Sequence, residues 1–220
     1  MELVSLRASD NLTVAGDYYP PGTPSAKGLL LLHMMPADRA SWRAFAEKAA
    51  AAGFHTLAID LRGHGQSAGG PDGYKNFSDA EHQASRHDVI TAVEFLKARG
   101  AARIFLGGAS IGANLALQYL AEYPEARAAF LLSPGLDYRG IATESLAEKL
   151  AKHQALYLAA SSEDMRSSGH AAVQMARRLY QLMPGAKEIR EFDGAGHGTT
   201  IFEREPQFMD DVLQWLNEQN

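Results

Sequence analysis

Short, almost wholly apolar runs alternate with longer helical patterns along this 220-residue chain, and the alternation constrains the fold more than any other feature. The runs predict strands at residues 11–19, 27–32, 56–60, 103–107, 128–132, 156–160 and 187–192. Strands that are apolar on both faces are typical of a parallel sheet that is covered by helices on both sides. The sequence therefore predicts a three-layer α/β/α sandwich with a mostly parallel sheet.

Helical patterns lie between these strands, at residues 39–52, 79–99, 111–123, 170–183 and 206–219. The stretches rich in Gly, Pro and Ser, at residues 20–25 and 63–73, are short enough to be loops rather than linkers. Because there is also no internal repeat, we expect a single domain over residues 1–220. Ligands of such sheets bind beyond the carboxyl ends of the strands, so the residues that follow each strand are the first candidates for a site.

Composition excludes several classes of protein. The chain contains no cysteine, which rules out disulfides, thiolate zinc sites and a cysteine nucleophile. Its 26 acidic and 21 basic residues give a net charge of −5, so no basic surface for nucleic acid is expected. The N-terminus lacks a signal-peptide pattern, and no apolar run approaches the roughly 20 residues that a membrane span needs. We expect a cytoplasmic protein without a membrane span, and the sequence gives no oligomeric state.

The strongest motif is the pentapeptide Gly108-Ala109-Ser110-Ile111-Gly112, which lies between a predicted strand and a predicted helix. A G-x-S-x-G sequence in this context is typical of a tight turn that lifts the serine hydroxyl above the sheet edge. A chance Gly/Ser turn is the alternative, and the strand–turn–helix context disfavours it. The glycine spacing matches neither a dinucleotide-binding nor a phosphate-binding loop. The motif predicts Ser110 as a nucleophile.

A serine hydroxyl needs a base that removes its proton. Three histidines follow Ser110 in the chain. His153 and His170 fall in or beside helical patterns, where surface positions are expected. His197 lies in the loop Gly194-Ala195-Gly196-His197-Gly198 after the last predicted strand, where the glycines let the backbone turn tightly over the sheet edge. The sequence therefore predicts His197 as the base.

The base needs a carboxylate that orients it, and this acid should follow the strand between the serine turn and the histidine. That strand is residues 156–160, and Asp164 is the predicted acid. Its neighbour Glu163 is expected to point elsewhere. Asp137, after the preceding strand, is the alternative, and Asp193 is interpreted as a residue that shapes the histidine loop.

Taken together, Ser110, Asp164 and His197 in this order and in these contexts resemble the α/β hydrolase fold family. The segment of residues 60–67, with sequence DLRGHGQS, is similar to the loop after that family's fourth strand. The resemblance extends over about residues 11–216. It implies a cofactor-free serine hydrolase and a structural role for residues 60–67. No metal is expected, because the sequence has no H-E-x-x-H motif and no clustered pair of His and carboxylate residues.

The resemblance also implies an oxyanion hole, which is a pair of backbone N–H groups aimed at the oxygen that becomes negative during acyl transfer. One donor would be Ile111, directly after the nucleophile. The other would come from the loop after residues 27–32, where the family usually has His-Gly-X and this chain has His33-Met34-Met35-Pro36. By position the donor is Met35, with Met34 as the alternative, and His33 is expected to hold the loop through a side-chain hydrogen bond.

These features predict a carboxylesterase-like enzyme that cleaves a small-molecule ester through an acyl-enzyme. A thioesterase, an acyltransferase, a small peptidase or a ligand-binding, receptor-like protein with slow turnover remain alternatives, because the fold does not decide among them. The 23 residues from Ser133 to Ala155 hold one predicted helix, at 143–153, which is too little for a large cap domain. An open site is therefore expected. Tyr138 and Arg139 in this insert either contact the substrate or anchor the loop.

One further group of polar residues, His82, His87 and Asp88, falls on the predicted helix at 79–99. Two histidines five residues apart lie about 140° from each other around a helix, which does not suit a metal site. We expect these residues on a solvated helix face.

Overall fold

The computed structural model of the protein describes residues 1–165 and 169–219. Within them the strands are β1 (Glu2–Arg7), β2 (Thr13–Tyr19), β3 (Lys27–Leu32), β4 (Phe54–Ile59), β5 (Arg103–Ala109), β6 (Ala128–Leu132), β7 (Asp137–Tyr138), β8 (Ile141–Ala142), β9 (Ala155–Ser161) and β10 (Ala186–Phe192). Eight of them form one sheet in the order β1-β2-β4-β3-β5-β6-β9-β10, and β7 and β8 form a small separate hairpin.

Helices cover both faces of this sheet. They are α1 (Arg43–Ala51), α2 (Asp79–Gln83), α3 (Arg86–Ala98), α4 (Ile111–Glu122), α5 (Glu144–Lys149), α6 (Ala172–Leu182), α7 (Thr200–Arg204) and α8 (Gln207–Glu218), with 3₁₀ turns at Arg39–Trp42 and Gly73–Asn76. Buried residues of α3, α4 and α6 form one core, and those of α1, α7 and α8 form the other. The three-layer α/β/α prediction is confirmed.

Strand β3 shows why the sheet is covered on both sides. Its four consecutive leucines are completely buried. Side chains alternate across a strand, so Leu30 and Leu32 pack into the core under α3 and α4, and Leu29 and Leu31 pack into the core under α1 and α8. Each such burial stabilises the fold by about 1.5–3 kcal/mol. A single solvated face on this strand would forfeit half of that gain.

The topology brings the ends of the site-bearing strands to one edge. Strands β4, β3, β5, β6, β9 and β10 pair in parallel, so their carboxyl ends lie along the same side of the sheet. Ser110 directly follows β5, near the middle, while Asp164 and His197 follow β9 and β10. Three segments that are far apart in sequence therefore meet at this edge.

The amino-terminal part of the sheet differs from the rest. Strand β1 is absent from the sequence prediction, and it pairs antiparallel with β2, which in turn pairs antiparallel with β4. Of the six residues of β1 only Val4 is buried, because the strand lies at the sheet edge. Such an exposed edge strand lacks the continuous apolar run that identifies the central strands.

The helix predicted at 79–99 is two helices in the structure, and the solvated face expected there is wrong for His82 and Asp88, whereas His87 is half-buried. The chain tightens between α2 and α3, where the Ser85 N–H donates to His82 O and the His87 N–H to Ala84 O. The break turns His82 inward to 2% exposure, and Asp88 is completely buried. The Asp88 carboxylate accepts hydrogen bonds from the Arg62 backbone N–H at 2.9 Å and from Arg62 Nη2 at 2.7 Å. The Asp88 carboxylate therefore holds the 60–67 loop and does not face solvent.

The insert after β6 contains only the β7–β8 hairpin and α5, so no large cap covers the sheet edge. The helix α5 is shorter than the predicted 143–153, because Leu150 turns to an extended conformation with ψ of 137°. Among the helices of residues 1–165 and 169–219, none combines the length and the apolar character needed to cross a membrane.

Candidate active site

Ser110 has a strained backbone at the turn between β5 and α4. Its φ of 55° and ψ of −119° lie in a region that residues with a side chain rarely adopt. The turn is held by a hydrogen bond from the Ser110 N–H to Leu132 O at 2.9 Å, and the first turn of α4 begins on Ser110 O. Only 4% of Ser110 is exposed. Strain of this kind persists only where the surroundings impose it, and here the flanking strands do so.

The glycines of the motif allow close backbone approach. A Cβ at Gly108 would lie 2.2 Å from Gly112 O, and a Cβ at Gly112 would lie 2.3 Å from Leu32 O and 2.7 Å from His33 O. A side chain at either position would therefore displace backbone atoms, which glycine avoids. The second contact also shows that the loop after β3 crosses directly against the start of α4, beside Ser110.

Asp164 and His197 form a hydrogen-bonded pair. The distance from His197 Nδ1 to Asp164 Oδ2 is 2.6 Å, and the Asp164 and His197 side chains are 5% and 24% exposed. An ionised carboxylate only accepts hydrogen bonds, so Nδ1 carries the proton and a neutral imidazole presents an unprotonated Nε2. This is the tautomer that a general base needs.

The histidine loop is anchored next to the serine turn. The Gly198 N–H donates to Ser133 Oγ at 3.0 Å, and Ser133 directly follows the residue whose carbonyl binds Ser110. A Cβ at Gly198 would lie 3.3 Å from the Cβ of Ala109. The residue after the histidine thus packs against the residue before the serine.

The backbone before His197 is held by two side chains from the end of β9. The Glu163 carboxylate accepts hydrogen bonds from the Gly196 N–H at 2.6 Å and the Gly194 N–H at 2.8 Å. Ser161 Oγ donates to the same carboxylate and accepts from the Ala195 N–H at 2.9 Å. Glu163 therefore binds the backbone of the histidine loop, and no local sequence pattern identifies this contact with residues about thirty positions away.

Hydrogen bonds lower the pKa of Glu163 to about 2, chiefly the one from the Ser161 hydroxyl, together with those from the Gly196 and Gly194 backbone. The carboxylate is exposed, so these bonds and not burial set its charge. Glu163 is ionised throughout the range in which proteins normally function.

The alternative residues have other partners. The Asp137 carboxylate accepts from the Gly140 N–H at 2.7 Å within the β7–β8 hairpin. Asp193 accepts from Ser162 Oγ at 2.7 Å, consistent with a role in loop shape. His153 is exposed and its Nε2 contacts Pro124 O at 2.8 Å, and His170 is also exposed. The structure thus brings Asp164, rather than Asp137, to the predicted base.

The loop after β3 is held by the buried His33. Its Nε2 accepts from the Leu61 N–H at 3.0 Å, so its Nδ1 carries the proton and donates to Met34 O at 2.9 Å. This confirms that His33 holds the loop. Burial lowers the pKa of His33 to about 3, so the ring stays neutral.

The same bond orients the following peptide group. In a trans peptide the C=O and the N–H point in opposite directions. Because Met34 O faces the buried His33 ring, the Met35 N–H points away from it. The N–H of Ile111 belongs to the first turn of α4, where helix N–H groups have no carbonyl partner within the helix. These orientations are compatible with Met35 and Ile111 as the pair of donors at the sheet edge.

The loop of residues 60–67 supports this edge from below. The Asp60 carboxylate accepts from the Arg39 backbone N–H at 2.8 Å and the Gln66 N–H at 2.7 Å, and it also pairs with the Arg39 guanidinium. Ser67 Oγ donates to Asp60 O at 2.6 Å.

Arg139, in the insert after β6, anchors its own loop, since its carbonyl accepts from Gln83 Nε2 at 3.1 Å and its guanidinium lies 3.7 Å from Asp79.

No ready metal site accompanies these residues. Within residues 1–165 and 169–219, no three His, Asp or Glu side chains are grouped so that they could hold a metal ion. One cavity of about 440 Å³ lies on the flank beside α3 and α4, lined by residues such as Gln83, Arg86 and Gln118. None of the proposed catalytic residues lines that cavity, so we do not assign it to the reaction.

The sequence profile of the α/β hydrolase fold matches residues 28–198, which include all three candidate catalytic residues. No curated protein sequence matches the chain significantly. Among solved structures, an esterase of Pyrococcus furiosus is similar with a TM-score of 0.75 and 21% identity, covering 99% of this chain and 90% of that chain.

Two further solved structures show the same fold. An esterase of a Rhodococcus species has a TM-score of 0.76 at 17% identity, over 100% of both chains. A dienelactone hydrolase of Anabaena variabilis has a TM-score of 0.73 at 20% identity, over 99% of this chain and 95% of that chain. At these identities the similarity shows the fold alone.

Proposed function

We propose, from the premise that the chain belongs to the α/β hydrolase fold family, that it is a serine hydrolase that cleaves carboxylic esters. The single observation that carries the proposal is the Asp164–His197 pair, at 2.6 Å, whose loop packs against the strained Ser110 turn. The esterases among the structural relatives are consistent with hydrolase activity and leave the substrate open.

In the proposed mechanism, Ser110 Oγ attacks the ester carbonyl carbon and His197 Nε2 accepts the hydroxyl proton. Asp164 holds the imidazole in the required tautomer and stabilises the imidazolium that forms. The carbonyl oxygen of the ester becomes negative in the tetrahedral intermediate and receives hydrogen bonds from the Met35 and Ile111 N–H groups. Collapse expels the alcohol, which takes the proton from His197, and leaves an acyl group on Ser110.

Water then repeats the sequence. His197 removes a proton from the water as it attacks the acyl carbonyl. When the second tetrahedral intermediate collapses, His197 Nε2 returns that proton to Ser110 Oγ, which releases the carboxylic acid and free Ser110. The lack of a large cap suits small or extended esters better than a long chain that must be enclosed. We therefore propose an open site, a single catalytic domain and a small-molecule substrate.

A panel of p-nitrophenyl esters and thioesters with acyl chains of increasing length tests the proposal. We expect turnover of short esters, and we expect Ser110→Ala to lower kcat by about 10⁴–10⁶ while the melting temperature stays close to that of the wild type. Equal rates for the wild type and Ser110→Ala would refute the mechanism. A clear preference for thioesters would instead place the protein among the thioesterases.

A further inference from the structure

We propose that Glu163 is a positioning residue for His197, acting through the backbone of the histidine loop; this rests on the proposed function. Its carboxylate spans the loop by accepting from the N–H groups of Gly194 and Gly196, at 2.8 and 2.6 Å. Ser161 Oγ accepts from the N–H of Ala195, the residue between these two glycines, at 2.9 Å. Three consecutive amides directly before His197 are therefore held from one side.

The loop needs such a constraint because its own sequence is permissive. Gly194, Gly196 and Gly198 have φ values of 74°, 81° and 58°, and glycine loses more conformational freedom on ordering than any other residue. The loop is also held by Arg204 Nη1, which donates to the Gly194 carbonyl at 2.6 Å, and by Ser133 Oγ, which accepts from the Gly198 N–H at 3.0 Å. Asp164 fixes the imidazole ring, and Glu163 fixes the backbone from which that ring extends.

We call the Glu163 carboxylate, with its bonds to the Gly194 and Gly196 amides, the clamp. The clamp and the acid Asp164 lie next to each other in the chain. Glu163 and Asp164 follow β9 as neighbours, so a single turn supplies both the loop contact and the ring contact. A shift of β9 relative to β10 would move both together, which keeps the ring and its backbone in register. This coupling explains how a loop rich in glycine holds an imidazole in a fixed place.

Substitution of Glu163 separates hydrogen bonding from charge. Glu163→Gln removes the charge and keeps one acceptor oxygen, so one of the Gly194 and Gly196 amides loses its partner in either side-chain orientation. Glu163→Ala removes both acceptors. Asp193→Asn is the matched control, because it removes a negative charge from the same loop while its amide oxygen can still accept from Ser162.

We expect kcat for a short p-nitrophenyl ester to fall about 10-fold in Glu163→Gln and about 100-fold in Glu163→Ala, with KM changed less than about 2-fold, since a displacement of about 1 Å lowers rates on the order of 100-fold. Asp193→Asn should retain wild-type kcat. Equal losses in the Gln and Ala variants, or a matching loss in Asp193→Asn, would contradict the graded loss that the hydrogen bonds predict and would overturn the proposal. Wild-type kcat in both variants would also overturn it.

Amide hydrogen exchange tests the clamp without any substrate. Exchange at residues 194–196 should be faster in Glu163→Gln than in the wild type and in Asp193→Asn, while exchange in β5 and α4 stays the same. Unchanged exchange at 194–196 would overturn the clamp even if esterase activity is found. If the wild type is no faster than Ser110→Ala on every ester, the proposed function fails, whereas the exchange result still decides the clamp. Should Glu163→Ala fail to fold, Glu163→Gln carries both measurements.

Discussion

Gly112→Ala is the substitution that should separate the site from the fold most clearly. The new Cβ would lie 2.3 Å from Leu32 O and 2.7 Å from His33 O, whereas ordinary contact begins at 3.4 Å. Both atoms belong to the backbone, so the loop that carries Met35 must move by about 1 Å. Such a displacement of an oxyanion donor should lower kcat by about 10²–10³.

The effect on stability should be small by comparison. Forcing a methyl group into a packed site costs about 1–3 kcal/mol, and Ala gains about 1 kcal/mol over Gly within a helix. The net loss is about 0–2 kcal/mol. For a chain of this size about 1 kcal/mol shifts the melting temperature by 2–4 °C, so a decrease of no more than about 8 °C is expected.

The assay is ester hydrolysis with a thermal melt of the same sample. Gly22→Ala is the control, because a Cβ at Gly22 would have no atom within 4 Å and its φ is not positive. The control should match the wild type in both measurements. If Gly112→Ala kept kcat within about 3-fold of the wild type, the inference that the loop after β3 supplies the oxyanion donor would be wrong.

Three other substitutions or conditions test separate parts of the account. Asp164→Asn should lower kcat by about 10³–10⁴ with little change in stability, because an amide can favour the wrong imidazole tautomer. Steady-state kinetics and a thermal melt measure the two effects. A kcat near that of the wild type would contradict the assigned pair. Asp88→Ala should reduce the free energy of unfolding by about 3 kcal/mol. This value is at the low end for breaking a buried ion pair, because Arg62 keeps Asp10 as a second carboxylate partner. Urea unfolding measures the loss, and a value below about 1 kcal/mol would contradict the prediction. Burial lowers the pKa of His33 to about 3, and it also lowers the pKa values of His64 and His82. In the unfolded chain these histidines have a pKa of about 6.5, so below that pH the unfolded chain binds more protons than the folded protein. Stability should therefore fall as the pH drops from 6.5 toward 3, and a melting temperature that stays constant from pH 7.5 to 5 would contradict this.

The central strands could be read from the sequence because their residues are buried on both faces. The bounds of β3 and β6 agree with the predicted ranges, and Ser110 follows its strand as expected. Strand β1 could not be read, since five of its six residues are exposed or half-buried at the sheet edge. The pattern of apolar residues in the sequence follows burial, and few residues of an edge strand are buried.

The missed parts of the site depend on contacts that are distant in the chain. Glu163 binds backbone amides about thirty residues away, and because nearly every residue has such an amide, the sequence does not show which ones it binds. His82 was expected on a solvated face because a single straight helix was assumed through Ala84 and Ser85. The break there changes the rotation per residue, so the burial of His82 follows from tertiary structure and not from the helical period.

The most direct test of the central claim is labelling with a fluorophosphonate probe, followed by peptide mapping of the adduct. An activated serine attacks phosphorus and expels fluoride, so we expect stoichiometric modification of Ser110 in the wild type and none in Ser110→Ala. His197→Ala should label far more slowly, because the hydroxyl loses its base. Labelling of a different residue, or no labelling of a folded wild-type protein, would contradict the account.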